Sequence, residues 1–114
     1  LAASEIIYNK ADNLEERRQR VAKIIGGLVA YNINHPDPKL RWNNTCAVRM
    51  SYILNQSGFR IPFIPKQTVS GGDKKFKYFY RVNHLINFLY AILTNQSQHI
   101  PQIGLTFGVC YENF

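Results

Sequence analysis

Asn44-Thr45-Cys46-Ala47-Val48-Arg49-Met50-Ser51-Tyr52-Ile53-Leu54-Asn55-Gln56, followed by Ser57-Gly58, is the stretch on which the fold of this chain turns. Ala47, Met50, Ile53 and Leu54 recur at the spacing of one helical face, and Gly58 is a C-terminal stop. The spacing predicts a helix over residues 46–56 with Cys46 in its first turn. A helix start carries partial positive charge and unpaired N–H groups, and both favour thiolate over thiol. The dipole supplies about 0.3–1 kcal/mol at an exposed end, less than the roughly 1.36 kcal/mol of one pKa unit. A thiol near about 8.5 therefore stays mostly protonated at neutral pH. Efficient attack on an amide needs a neighbouring histidine, which stabilises the thiolate and then protonates the leaving amine. The competing account of Cys46 is a small buried hydrophobe, the common fate of a free cysteine. Cys110, inside a strand-like pattern, reads as structural.

Upstream, residues 13–29 have a helical pattern, with Leu14, Val21, Ile24, Ile25 and Leu28 on one face and Glu15, Glu16, Arg18 and Lys23 elsewhere. Asp12 or Asn13 caps this helix. Gly26-Gly27 near its end either stops it or lets another backbone come close. Residues 34–38, with two prolines, form a turn. Downstream, residues 61–73 are loop-like, and 77–82 alternate as an aromatic strand. Asn83 caps a third helix over 84–94, with Leu85, Ile86, Leu89, Ile92 and Leu93 inward, and 103–110 form a last strand. Helices and strands in this order specify α+β, not a parallel βαβ series. Two strands make a poor sheet, so a further strand is expected to pair with 103–110.

The 114 residues fit a single domain, 1–114, expected to be incomplete at the C-terminus, and the Leu1 start suggests missing residues upstream. No stretch reaches the roughly 18 apolar residues of a membrane span, and no signal-peptide pattern opens the chain. The net charge of +7 favours anionic partners. Aromatic and basic residues alternate in 77–82 as in a base-stacking strand. No nucleic-acid motif accompanies them, and nucleic acid is not expected as a partner. Cys46 and Cys110 do not make a disulfide framework, and no C-x-x-C pair suggests zinc. His35, His84 and His99 lie at spacings that predict no contact with Cys46 and read as surface or capping residues.

The run 44–55 with Ser57-Gly58-Phe59-Arg60-Ile61 resembles the nucleophile helix of the fourth family of type VI secretion amidase effectors. Val69-Ser70-Gly71-Gly72-Asp73-Lys74-Lys75-Phe76, then Tyr80-Arg81-Val82-Asn83-His84-Leu85, is similar to that family's Ser-Gly-x-Asp turn and its strand ending in Tyr-Arg-Val. Ile24-Ile25-Gly26-Gly27 and Gly104-Leu105-Thr106-Phe107 also match, in family order. The resemblance implies a papain-like, NlpC/P60-type fold, with the nucleophile helix packed on a small antiparallel sheet. It implies cleavage of the D-glutamate–diaminopimelate amide of peptidoglycan stem peptides, with Cys46 as nucleophile. An N–H near the helix start, that of Cys46 among the candidates, would help hold the oxyanion. It also implies passage through the secretion machinery from the producer's cytoplasm to a competitor's periplasm, a cognate immunity protein, and no metal or organic cofactor.

In the family, a Gly-His pair after the strand resembling 104–107 supplies the general base, and a later acidic residue orients it. This sequence stops at Phe114, before that point. Three arrangements are open: a fragment of a longer protein, a C-terminal fragment or separate chain carrying the histidine, or a catalytically inactive amidase-like module that binds cell wall or an immunity-type partner. A last strand without a neighbour favours the first two.

Overall fold

The structure, a computed structural model, describes residues 2–95. In chain order these form α1 (Ala3–Ile7), α2 (Leu14–Ile25), α3 (Gly27–Ile33), a 3-10 turn (Pro38–Leu40), α4 (Cys46–Gln56), β1 (Thr68–Ser70), β2 (Lys77–Phe79) and α5 (Val82–Asn95). The architecture is α+β, as the element order implied. The expected strand 103–110, with Cys110, His99 and Gly104-Leu105-Thr106-Phe107, lies outside the described residues.

The helix expected over 13–29 is two helices. Asn13 starts α2 with a capping box: its Oδ1 accepts from Glu16 N at 2.8 Å, and Glu16 Oε1 accepts from Asn13 N at 2.9 Å. Gly26, at φ 68 and ψ −160, ends α2 in a conformation that is essentially glycine's alone. Both alternatives for the glycine pair hold, because Gly72 N also donates to Ile25 O at 2.7 Å across the break. The break rotates the buried face. Val21, Ala22, Ile25, Val29 and Ile33 are buried, whereas Leu14 and Leu28, expected inward, are exposed.

Arg18, expected on the polar face, is buried. Its Nε donates to Trp42 O at 3.0 Å, its Nη2 to Ile33 O, and its Nη1 to Glu15. One guanidinium thus ties α2 to the end of α3 and to the approach to α4. Arg18→Met keeps the aliphatic stem and removes donors from two carbonyls. Leaving them unpaired costs about 2–4 kcal/mol. Urea midpoints should separate this variant from Lys23→Met, an exposed control expected within about 0.5 kcal/mol of the parent. Equal midpoints would show that Arg18 does not hold the helices together.

Two apolar clusters lie on either side of α4. Cys46, Ala47, Met50 and Leu54 join Phe59, Ile61, Phe79, Leu85, Leu89 and Ile92 on one side. Val48 and Ile53 join Ile7, Val21, Ile25, Val29, Ile33 and Tyr78 on the other. Neighbouring residues of β2 serve opposite clusters, as strand alternation requires. β1 pairs antiparallel with β2, with Thr68 opposite Phe79 and Ser70 opposite Lys77. The loop-like reading of 61–73 missed β1, which is three residues long and exists through this pairing. The expected strand 77–82 stops at Phe79, and the third helix begins at Val82.

Candidate active site

Cys46 is the first residue of α4 and is 2% exposed. Thr45, the residue before the helix, makes no side-chain cap. Asn44 caps from one residue further back, its Oδ1 accepting from Cys46 N at 2.9 Å. The Cys46 N–H expected among the oxyanion donors is therefore already engaged, and reaches an oxyanion only if Asn44 turns away. The Cys46 sulfur is disulfide-bonded. Cys46 is therefore not the free thiol that both sequence readings, nucleophile and small buried hydrophobe, took it to be. Attack at an amide needs the reduced form.

Nine of the eleven residues of α4 are buried, including the polar Arg49, Ser51 and Asn55. Ser51 Oγ donates to Ala47 O at 2.7 Å and accepts from Phe79 N at 2.9 Å. Asn55 Nδ2 donates to Lys77 O at 2.8 Å, and its Oδ1 accepts from Ile61 N at 2.9 Å. These bonds lock the helix bearing Cys46 against β2. Asn55→Leu preserves size but strands a buried N–H and a carbonyl, at about 1–3 kcal/mol for each group. We expect a lower thermal midpoint for that variant. An unchanged midpoint would mean that packing alone seats α4.

His35 fills the turn role expected of it: its Nδ1 accepts from Asp37 N at 3.0 Å, and its ring meets Tyr31 edge-on at 5.2 Å. His84 lies in the first turn of α5 with Nδ1 buried and no hydrogen-bond partner. Neither described histidine hydrogen-bonds Cys46. Among the described residues no group of His, Cys, Asp and Glu side chains could hold a metal, and no helix is long and apolar enough to cross a membrane.

Sequence reasoning missed the charge beside the helix start. Arg49 is 4% exposed, and its Nε donates to Thr45 Oγ1 at 3.3 Å. Its guanidinium carbon lies 5.4 Å from the centre of the Tyr8 ring, and that of Arg17 lies 5.5 Å from the same point. Burial, then repulsion from Arg17, pushes Arg49 down to about 10. It remains a cation at neutral pH. The available signal was an arginine one turn after Cys46 in an otherwise apolar run.

A helix buried between two apolar clusters and bonded to an antiparallel hairpin is the arrangement of a papain-like, NlpC/P60-type α+β fold. Residues 42–107 match the family described as type VI secretion system (T6SS), amidase effector protein 4, and the chain belongs to that family. Among solved structures it is similar to the effector–immunity system Tae4/Tai4 from Salmonella typhimurium, at 34% identity, TM-score 0.61, over 81% of this chain and 52% of that one. It is similar to Tae4 in the Tae4–Tai4 complex from Enterobacter cloacae, at 34% identity, TM-score 0.62, over 81% and 50%. It also resembles Tae4 alone from Enterobacter cloacae, at 35% identity, TM-score 0.60, over 81% and 53%. The chain thus spans about half the length of the relatives it matches. Comparison with curated protein sequences found no match.

Proposed function

We propose that the protein to which this chain belongs is a cysteine amidase of peptidoglycan. It cleaves the D-glutamate–diaminopimelate amide of stem peptides and acts as an interbacterial toxin. The observation that carries this reading is Cys46 at the first residue of α4, inside the segment that matches the amidase effector family. In the reduced protein the Cys46 thiolate attacks the scissile carbonyl. The acyl group passes to sulfur, the amine leaves with a proton, and water releases the acid. The base and its orienting acid are assigned to chain outside residues 2–95. Delivery is through the type VI machinery to the target cell's periplasm. The proposed partner in the producer is an immunity protein, since relatives were solved as effector–immunity complexes.

Purified sacculi digested with the complete protein should release stem-peptide fragments identifiable by mass. Fragment release is expected after incubation with dithiothreitol and not from the oxidised sample, because the Cys46 sulfur is otherwise bonded. Equal release from both would overturn the requirement for reduction. No release from either would leave the chain as a binding module on an amidase scaffold.

A further inference from the structure

Isolated charges are rarely buried, because taking an ion out of water is unfavourable unless a counter-charge and hydrogen bonds replace the solvent. Arg49 breaks that rule. It is 4% exposed, yet among the described residues the only ion pairs are Arg18 with Glu15 and Arg20 with Asp12. A charged neighbour that acts on it is of the same sign: Arg17 reaches the same aromatic ring from α2. Arg17 Nε is itself buried with no hydrogen-bond partner. Two guanidiniums around one tyrosine, one of them buried and the other with an unused buried donor, form half of an anion site. The downward push on Arg49 from burial and from Arg17 has the sign expected of a cation lacking its counter-ion.

The location narrows the ligand. Arg49 bonds Thr45 Oγ1, and Thr45 immediately precedes Cys46. Side chains on a helix lean toward its N-terminus, so the Arg49 stem leans toward the end of α4 that carries Cys46. Guanidinium is planar and matches carboxylate in a bidentate geometry. In the proposed substrate, each of the two amino acids flanking the scissile amide carries a carboxylate outside that bond.

We propose that Arg49 and Arg17, framed by Tyr8, are the specificity-determining residues that bind a stem-peptide carboxylate next to the scissile amide. The inference rests on the amidase reading and assigns the recognition step of the same site. Neither arginine takes part in bond breaking. Their role is to hold the peptide in register with Cys46, and in doing so to compensate the buried charge.

The test measures binding apart from cleavage. Complete protein carrying Cys46→Ala is titrated calorimetrically with the tripeptide L-Ala-γ-D-Glu-diaminopimelate. It is then titrated with two analogues, one amidated at the glutamate carboxylate and one at the side-chain carboxylate of diaminopimelate. At least one analogue should bind about tenfold or more weakly than the acid. Adding Arg49→Met, which keeps an apolar stem in the buried site, should weaken the acid to the level of that analogue. Arg17→Gln, at a partly exposed position, should reduce the discrimination without unfolding the protein, and it decides the matter if the Arg49 variant does not fold. Equal binding of all three peptides, or discrimination that survives both substitutions, would overturn the proposal. So would an Arg49→Met protein that loses thermal stability but still discriminates, since the counter-ion would then be a carboxylate of the protein itself. Failure of the amidase reading looks different: protein with Cys46 intact and reduced would cut none of the peptides, whatever the binding pattern.

Discussion

Complete protein carrying Cys46→Ala should lose stem-peptide cleavage, with kcat falling by about 10⁴-fold or more, as when a nucleophile is removed from a catalytic group that acts as a unit. The side chain is 2% exposed and sits among Ala47, Met50, Phe79 and Leu85. Alanine fits that space. Losing one sulfur from a packed site costs on the order of 1 kcal/mol, too little to unfold a typical domain. Both proteins must be compared reduced, because the oxidised parent also carries a disulfide, and a disulfide alone stabilises by about 2–4 kcal/mol. Mass analysis of digested sacculi and circular dichroism on the same samples make the comparison. A reduced, folded Cys46→Ala protein that still releases fragments would remove Cys46 from the chemistry.

Gly27→Ala should be the most destabilising single-methyl substitution among the described glycines. Gly27 has φ +57, where an L side chain costs about 1–2 kcal/mol. A Cβ there would lie 2.2 Å from Gly71 C, 2.3 Å from Gly71 O and 2.6 Å from Gly72 N. All three atoms are backbone, so no rotamer change relieves the overlap. The β1–β2 turn must withdraw from α2 and α3, which breaks the Gly72 N to Ile25 O bond of 2.7 Å and leaves a donor and an acceptor to be satisfied elsewhere. Conformational strain, overlap and the lost bond together amount to about 3–5 kcal/mol, a large part of the roughly 5–15 kcal/mol that holds a domain folded. Gly58→Ala is the control: φ is +94, but a Cβ meets nothing within 4 Å. That change should cost only about 1–2 kcal/mol. Urea unfolding of the two variants checks the difference, and similar midpoints would show that the glycine crossing is not tight in solution. The same turn leads into β2, which Ser51 and Asn55 bond to α4, the helix that begins at Cys46. Activity in Gly27→Ala should therefore fall with stability.

Local chemistry was legible in the residues. The apolar spacing after Cys46 and the stop at Gly58 placed α4 at its observed bounds, and of the two capping candidates, Asp12 and Asn13, it is Asn13 that starts α2. Cys46 as a helix-start residue follows from the same pattern, and so does the α+β class. These features depend on a few neighbouring residues, whose periodicity and capping are written consecutively.

What joins distant segments was decided by the tertiary structure. β1 is three residues whose strand state comes from pairing with β2, so no run of sequence announces it. Gly26-Gly27 is a helix break because Gly71-Gly72 crosses it. Arg18 reads as a solvated charge on the polar face of an amphipathic helix, and Arg49 lies within the largely apolar run after Cys46. They are buried because carbonyls from Ile33 and Trp42 converge on the first, while Tyr8 and Thr45 receive the second. The polar side chains of Ser51 and Asn55 lie inside for the same kind of reason. A polar group enters a core only where a partner from elsewhere in the chain replaces water, and residue spacing along one helix holds no record of that partner.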